Sequence, residues 1–174
     1  MRLVEIKKML SLAIGTFAGI GLIPVMPGTI TTLSIAIIWH FFIPEEIFYN
    51  ASEKSIYYSN YIIFYIIILL FSYLAVYICK SCEEEFGRDG KQIVIDEVVG
   101  YLLAVMFLPK TLMVAIYAFI LFRVFDIAKP LFINKAQRLK HGWGVMMDDL
   151  LAGVTTNVLL ITLYHIKPQF FMLY

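Results

Sequence analysis

Residues 56–79 read IYYSNYIIFYIIILLFSYLAVYIC. The run carries no charge and exceeds the ~20 apolar residues that carry a helix across a bilayer. A spanning β-strand would instead need segments of about ten alternating residues between turns, and none occurs in this chain. The stretch therefore predicts a transmembrane helix. It sets the expected class as all-α: a multi-pass helical membrane protein with one long transmembrane helix and several short or broken apolar helices.

Outward from this helix the chain alternates between polar and apolar. On the C-terminal side, Lys80, Glu83, Glu84, Glu85, Arg88, Asp89 and Lys91 form a charged segment. It is expected to carry the helix into water and stop near Gly87–Gly90, with Glu83–Glu85 a solvated charge run. On the N-terminal side, Pro44–Ser55 is polar. Before it, Met9–Ile23 and Ile30–Ile43 are apolar but too short to span alone, and PVMPGT at 24–29 separates them. Two prolines and a glycine must break a helix there, and Thr29 is the expected N-cap of the second run. The pair reads as a broken or re-entrant hairpin, with the Pro-Gly-Thr turn buried in protein or at a water-filled pocket. Beyond residue 92 come Ile93–Leu108, a turn at Pro109–Lys110, Thr111–Ala128, a basic segment Lys129–His141 and a last apolar run, Leu150–Tyr164. No internal repeat is present, and residues 1–174 read as one domain.

Composition supports the bilayer as solvent. Apolar residues make up 61% and charged residues 16%, against roughly 45–50% and 25% in globular proteins; mean hydropathy is +0.83. A net charge of +1 gives no case for nucleic-acid binding. The apolar stretch behind MRLVEIKK lacks a small-x-small cleavage site, so no cleavable signal peptide is expected. Cys79 and Cys82 read as small apolar residues at a helix end, kept reduced. Suppose the N-terminus, residues 80–97 and residues 123–149 share one side of the membrane. That side then holds 11 of the 14 Lys and Arg residues, leaving Lys54, Lys110 and Lys167 opposite. The positive-inside rule makes the basic side cytoplasmic.

The same layout gathers polar residues at one depth. In FRVFDIAKP (122–130), Arg123 and Asp126 lie three apart, on one face of a helix. Lys129 follows, and Pro130 ends the helix. Asp148 and Asp149 stand side by side at the mouth of the last apolar run, and Asp96 and Glu97 near the start of another. Adjacent carboxylates at a hydrophobic edge repel each other and lose solvation, so they need a cation. Five carboxylates without a Cys/His cluster form an all-oxygen site suited to Mg²⁺, Mn²⁺ or Ca²⁺. Arg123 can fork onto a phosphate and Lys129 add a point charge. The turn at Gly28 and Thr29 can bring a helix N-terminus, a natural anion site, to the same place. These parts suit metal-assisted attack on a phosphate ester. Each also has a structural reading: helix-capping acids, a solvated helix start, an i,i+3 salt bridge, a purely structural turn. His141 has the chemistry of an acid or base, although a lone loop histidine is more often incidental; His40 and His165, near membrane edges, carry no argument.

Four ordered tracts carry a resemblance: P-x-x-P-G-T at 24–29, D-E-x-x-G at 96–100, F-R-x-x-D-x-x-K-P at 122–130 and H-G-x-G-V-M-x-D-D-x-x-A-G at 141–153. Together they resemble the phosphatidylglycerophosphatase A family of bacterial lipid phosphatases, from about Gly15 to Leu160. The resemblance implies hydrolysis of phosphatidylglycerophosphate to phosphatidylglycerol and inorganic phosphate with Mg²⁺, at the bacterial inner membrane with the site on the cytoplasmic side. It implies Asp96, Glu97, Asp126, Asp148 and Asp149 as the metal and catalytic centre, and Arg123 and Lys129 on the phosphate of a phospholipid substrate; Gly28 and Thr29 join them as phosphate candidates from the helix-terminus argument alone. Trp143 stands where the family often has a small residue, which could alter the loop there, and segment 44–60 looks longer than usual. A CDP-alcohol phosphotransferase would show D-G, A-R and two further aspartates. A type 2 phosphatidic acid phosphatase would show P-S-G-H. Neither pattern is present. A membrane scaffold or cation channel would also place acids in the membrane, but Arg123 and Lys129 favour an anionic substrate.

Overall fold

The fold comes from a computed structural model that describes residues 2–50, 55–56, 58–139 and 142–171. Seven α-helices dominate: α1 Arg2–Gly15, α2 Pro27–Ile37, α3 Tyr58–Phe86, α4 Ile95–Ala104, α5 Leu112–Ala128, α6 Leu131–Gln137 and α7 Gly142–Ile166. One π turn, Ile38–Phe42, continues α2, and a two-residue antiparallel pair, β1 Tyr49–Asn50 with β2 Ser55–Ile56, precedes α3. The all-α expectation holds, with one correction to the number of long helices. Both α3 and α7 are long and apolar enough to cross a membrane.

The second long helix was hidden by glycine. Gly142 and Gly144 read as helix breakers, yet α7 begins at Gly142 and runs through Asp148 and Asp149. The reason is close packing: a Cβ on Gly142 would lie 2.1 Å from the Val76 carbonyl oxygen of α3, and one on Gly144 2.7 Å from the Gln137 and Leu139 carbonyls. The acids are thus inside a helix, not at its mouth. Trp143 lies on the same helix, exposed and edge-on to Tyr73, so no loop is present for it to reshape. His141 falls outside the described residues.

Two other boundaries move. α2 starts at Pro27, where the missing N–H and fixed φ of proline suit a first turn, and Met26 takes the left-handed break at φ 49°. Thr29 is therefore within the first turn and not the N-cap. α1 includes the charged N-terminal residues and stops at Gly15, earlier than the prolines. The chain turns there through Phe17, Ala18 and Gly19, all at positive φ, with Thr16 Oγ1 accepting from the Gly19 N–H at 3.1 Å.

Packing orients every helix end that matters for the site. α1 lies along the C-terminal part of α3, with Gly15 against the Cys82 sulfur and Lys8 paired to Glu85 at 2.7 Å. Both cysteines are buried and free of a disulfide, and Cys82 Sγ donates to the Ser11 carbonyl of α1 at 3.4 Å. α4 crosses α7 at two glycines: a Cβ on Gly153 would sit 2.2 Å from the Gly100 carbonyl oxygen. Small residues allow such an approach between membrane helices. Asn157 of α7 donates to the Ala104 and Met106 carbonyls at 3.1 and 2.7 Å, closing the end of α4. α5 opens on Thr111, whose hydroxyl accepts from the Val114 N–H at 3.2 Å, and closes on Lys129 in the left-handed region at φ 39°. Lys110 holds the far end of α2, donating to the His40 and Ile43 carbonyls. Around this assembly, Ile63, Ile66, Ile67, Leu70 and Leu74 of α3 are exposed. An apolar band of that kind marks a surface facing lipid.

Candidate active site

The starts of α2 and α4, the end of α5 and the first turns of α7 meet around a cavity of about 280 Å³. All nine residues singled out in the sequence line it. Gly28 and Thr29 come from α2, Asp96 and Glu97 from α4, Arg123 and Asp126 from α5, Lys129 from its cap, and Asp148 and Asp149 from α7. Asp89, Gly90 and Lys91 of the α3–α4 connection line it too. Sequence reading missed them by treating this segment as solvated. The available signal was Asp89 between Gly87 and Gly90, a tight turn of left-handed residues (φ 55° at Asp89, 84° at Gly87) that folds the connection back.

The carboxylates are buried: Asp148 and Asp149 are 2% exposed, Asp96 8% and Asp126 9%. Arg123 Nη1 donates to Asp126 Oδ2 at 2.6 Å and lies 3.3 Å from Glu97 Oε1. Lys129 Nζ contacts Asp148 Oδ2 at 2.5 Å. The i,i+3 salt bridge is therefore real, and the same guanidinium links α5 to α4. Asp148 Oδ1 also accepts the N–H of Asp149 at 3.1 Å. The first turn of α2 approaches so closely that a Cβ on Gly28 would lie 1.7 Å from Glu97 Oε1. Only glycine leaves that carboxylate its place.

The pairing is incomplete. Asp96 Oδ1, Glu97 Oε2 and Asp149 Oδ2 are buried with no hydrogen-bond partner among the described residues. A buried carboxylate oxygen without a donor is costly, and among the described residues the six acids that line the cavity (Asp89 included) share it with three cations, Lys91, Arg123 and Lys129. On α4, too short to cross a membrane, burial pushes Glu97 up to about 8 against the pull of Arg123. Burial and then the charges of Glu97, Asp148 and Asp126 raise Asp96 well above the usual carboxylate range. For Lys129, burial acts downward, but the hydrogen bond it donates to Asp148 and the surrounding carboxylates outweigh it and raise the ammonium above its ordinary value. It stays cationic throughout the physiological range.

Such a site fits a hard divalent cation. The donors are all oxygen, and the three residues that carry the orphaned oxygens line one cavity. Among the described residues no three of His, Cys, Asp and Glu are placed to ligate one ion jointly, so the acids do not form a closed cage. Mg²⁺ needs none, because it keeps waters and takes one or two carboxylates plus substrate phosphate.

Two apolar helices long enough to cross a membrane and a carboxylate cluster sharing one cavity with Lys91, Arg123 and Lys129 are the parts expected of a membrane enzyme that acts on a phosphate ester. The chain matches the phosphatidylglycerophosphatase A family over residues 13–164. It belongs to that family and is a lipid phosphatase acting on phospholipid. It is 31% identical over 155 residues to phosphatidylglycerophosphatase A of Escherichia coli, covering 86% of this chain and 81% of that one. The Haemophilus influenzae protein of the same name is 33% identical over 106 residues, 59% of this chain and 65% of its own. A Bacteroides thetaiotaomicron protein, provisionally named a phosphatidylinositol-3-phosphatase, is 34% identical over 157 residues, 87% and 91% of the two chains. No solved structure matches the chain.

Proposed function

We propose that this protein hydrolyses phosphatidylglycerophosphate to phosphatidylglycerol and inorganic phosphate, with Mg²⁺, on the cytoplasmic face of a bacterial inner membrane. The observation that carries the proposal is the convergence of Asp96, Glu97, Asp126, Asp148 and Asp149 with Arg123 and Lys129 on one cavity. Two relatives bearing the name phosphatidylglycerophosphatase A support the substrate. The concentration of basic residues on the site's side of the membrane supports the orientation.

The roles follow from charge and reach. One or two of Asp96, Glu97 and Asp149, with their unpartnered oxygens, would hold the metal, water and substrate phosphate would fill its other positions, and the remaining acids would complete the charge around it. When bound, Mg²⁺ supplies Lewis-acid polarisation of the phosphoryl group and cancels repulsion between an anionic phosphate and the acids. Arg123 would turn its free guanidinium edge to the phosphate while Nη1 stays on Asp126. Lys129 would add a point charge opposite it. The Gly28 and Thr29 amides in the first turn of α2, where N–H groups lack intrahelical acceptors, would bind a further phosphate oxygen. Water attacks phosphorus as a cavity carboxylate takes one of its protons, the ester P–O bond breaks, and the same carboxyl group returns that proton to the departing lipid oxygen, so that the alcohol leaves neutral and the carboxylate is regenerated.

A second substrate reading has one specific support, the inositol-lipid name of the Bacteroides relative. Both lipids present a phosphomonoester, so the site accommodates either chemistry. Purified protein should be assayed for phosphate release from phosphatidylglycerophosphate and from phosphatidylinositol 3-phosphate at equal surface concentration. A kcat/KM at least about tenfold higher for the glycerol lipid upholds the proposal. The reverse preference replaces it with the inositol lipid.

A further inference from the structure

An apolar groove of about 320 Å³ runs between α2 and α5, and nothing in the catalytic reading uses it. Leu33, Ile37 and Phe41 form one wall, Leu112, Ile116 and Ile120 the other, all exposed. Ala36 and Ala115 lie buried among the lining residues, and their small size leaves the groove open.

Its course ties it to the site. The helices are antiparallel: the start of α2 and the end of α5 both line the catalytic cavity, while Lys110 joins the opposite ends. Leu33 stands one turn beyond Thr29, and Ile120 one turn before Arg123, so each wall continues a helix face that begins at the cavity. From Thr29 to Phe41 is about 18 Å at 1.5 Å per residue, close to one leaflet of a ~30 Å hydrocarbon core. The other large apolar cavity, between α5 and the end of α7, reaches Lys167 and takes its α7 lining from Leu160 and Leu163. Its α5 wall shares Ile120 with the groove, but its α7 wall lies three turns from Asp149, so only one of its walls continues toward the site.

We propose that the α2–α5 groove is an acyl-chain subsite, holding one fatty-acyl chain of the lipid whose phosphate occupies the cavity. This rests on the lipid-phosphatase reading of the cavity. Lipid tails are as apolar as the groove, so it adds little affinity over the bilayer. Its contribution is orientation. A chain held along α2 and α5 fixes the depth and direction of the headgroup between Gly28 and Arg123, and small misplacements of a reacting group are costly in rate.

The test compares Ala36→Phe and Ala115→Phe with the unaltered protein on dioleoyl phosphatidylglycerophosphate and on its deacylated headgroup, glycerophosphoglycerophosphate. The headgroup alone has no acyl chain to place in the groove. Filling the groove should lower kcat/KM for the dioleoyl lipid at least about tenfold and leave the deacylated compound within twofold. Equal losses on both, or no loss on either, overturn the groove. If the unaltered protein releases no phosphate from either compound, the substrate reading has failed, and labelling decides the groove separately. Dioleoyl lipid phosphate carrying a mid-chain diazirine should mark residues 33–41 and 112–120 of the unaltered protein. Excess unlabelled lipid phosphate should suppress that mark and phosphatidylcholine should not. Equal suppression by both means bulk lipid only and refutes the subsite. Crosslinks that join two copies of the chain across this groove assign it to self-association and also refute it.

Discussion

Replacing Lys129 by methionine removes the cation from Asp148 while keeping most of the side chain's volume. Asp148 sits on α7 with its side chain 3% exposed, and Lys129, 22% exposed, is its one salt-bridge partner among the described residues. Breaking a buried ion pair by deleting one partner costs about 3–5 kcal/mol. The low end applies, about 3 kcal/mol, because water reaches the lysine. For a chain of this size each kcal/mol moves the melting temperature by roughly 2–4 °C, so Lys129→Met should melt about 6–12 °C lower in detergent. Activity should fall further than stability accounts for, since a cation facing developing phosphate charge contributes about 10²–10³ in rate. The double change Lys129→Met with Asp148→Asn separates the effects, restoring most of the melting temperature and none of the activity. The assays are thermal denaturation and kcat/KM for phosphate release below that temperature. A single variant that melts within about 2 °C of the unaltered protein, with kcat/KM within threefold, would refute the buried pair and its role together.

Other substitutions probe the remaining parts. Arg123→Lys keeps the charge but loses the planar fork that spans Asp126 and Glu97; kcat/KM should fall about tenfold or more, and Arg123→Gln should be worse, both measured on the same lipid. Gly28→Ala puts a methyl 1.7 Å from Glu97 Oε1, so that carboxylate must shift by over an ångström. A loss of about 10²-fold in kcat/KM with unchanged far-UV circular dichroism is expected. Asn157→Leu strips the donor from the Ala104 and Met106 carbonyls, far along α7 from the acids. It should lower the melting temperature by the equivalent of about 1–3 kcal/mol and leave kcat/KM of the folded protein unchanged.

The site was more legible in the sequence than the fold around it, for a physical reason. A carboxylate in an apolar run has no cheap structural explanation, so Asp96, Asp126, Asp148 and Asp149 stood out one by one. Arg123 and Lys129 stood out at helical spacing from Asp126. What could not be read was anything depending on a distant neighbour. Gly142 and Gly144 have the composition of a turn, and only the α3 and α6 backbones pressed against them make them part of a helix. The crossing at Gly100 and Gly153 is likewise a contact between helices and leaves no local pattern. Asp89 and Lys91 read as solvated charges and are exposed, but the turn after α3 also brings them to the cavity, which no local pattern shows. Thr29 offered a plausible cap, but Pro27 starts the helix two residues sooner.

The claim at the centre of this account is that the buried acids act through a divalent cation on a lipid phosphate. Phosphate release from phosphatidylglycerophosphate by purified protein, with Mg²⁺ and with EDTA, beside Asp149→Asn, tests it most directly. Mg²⁺-dependent release that EDTA abolishes, and that falls at least about 10²-fold in the variant, is the expected result. Robust release in EDTA, or an Asp149→Asn protein as active as the unaltered one, would contradict it.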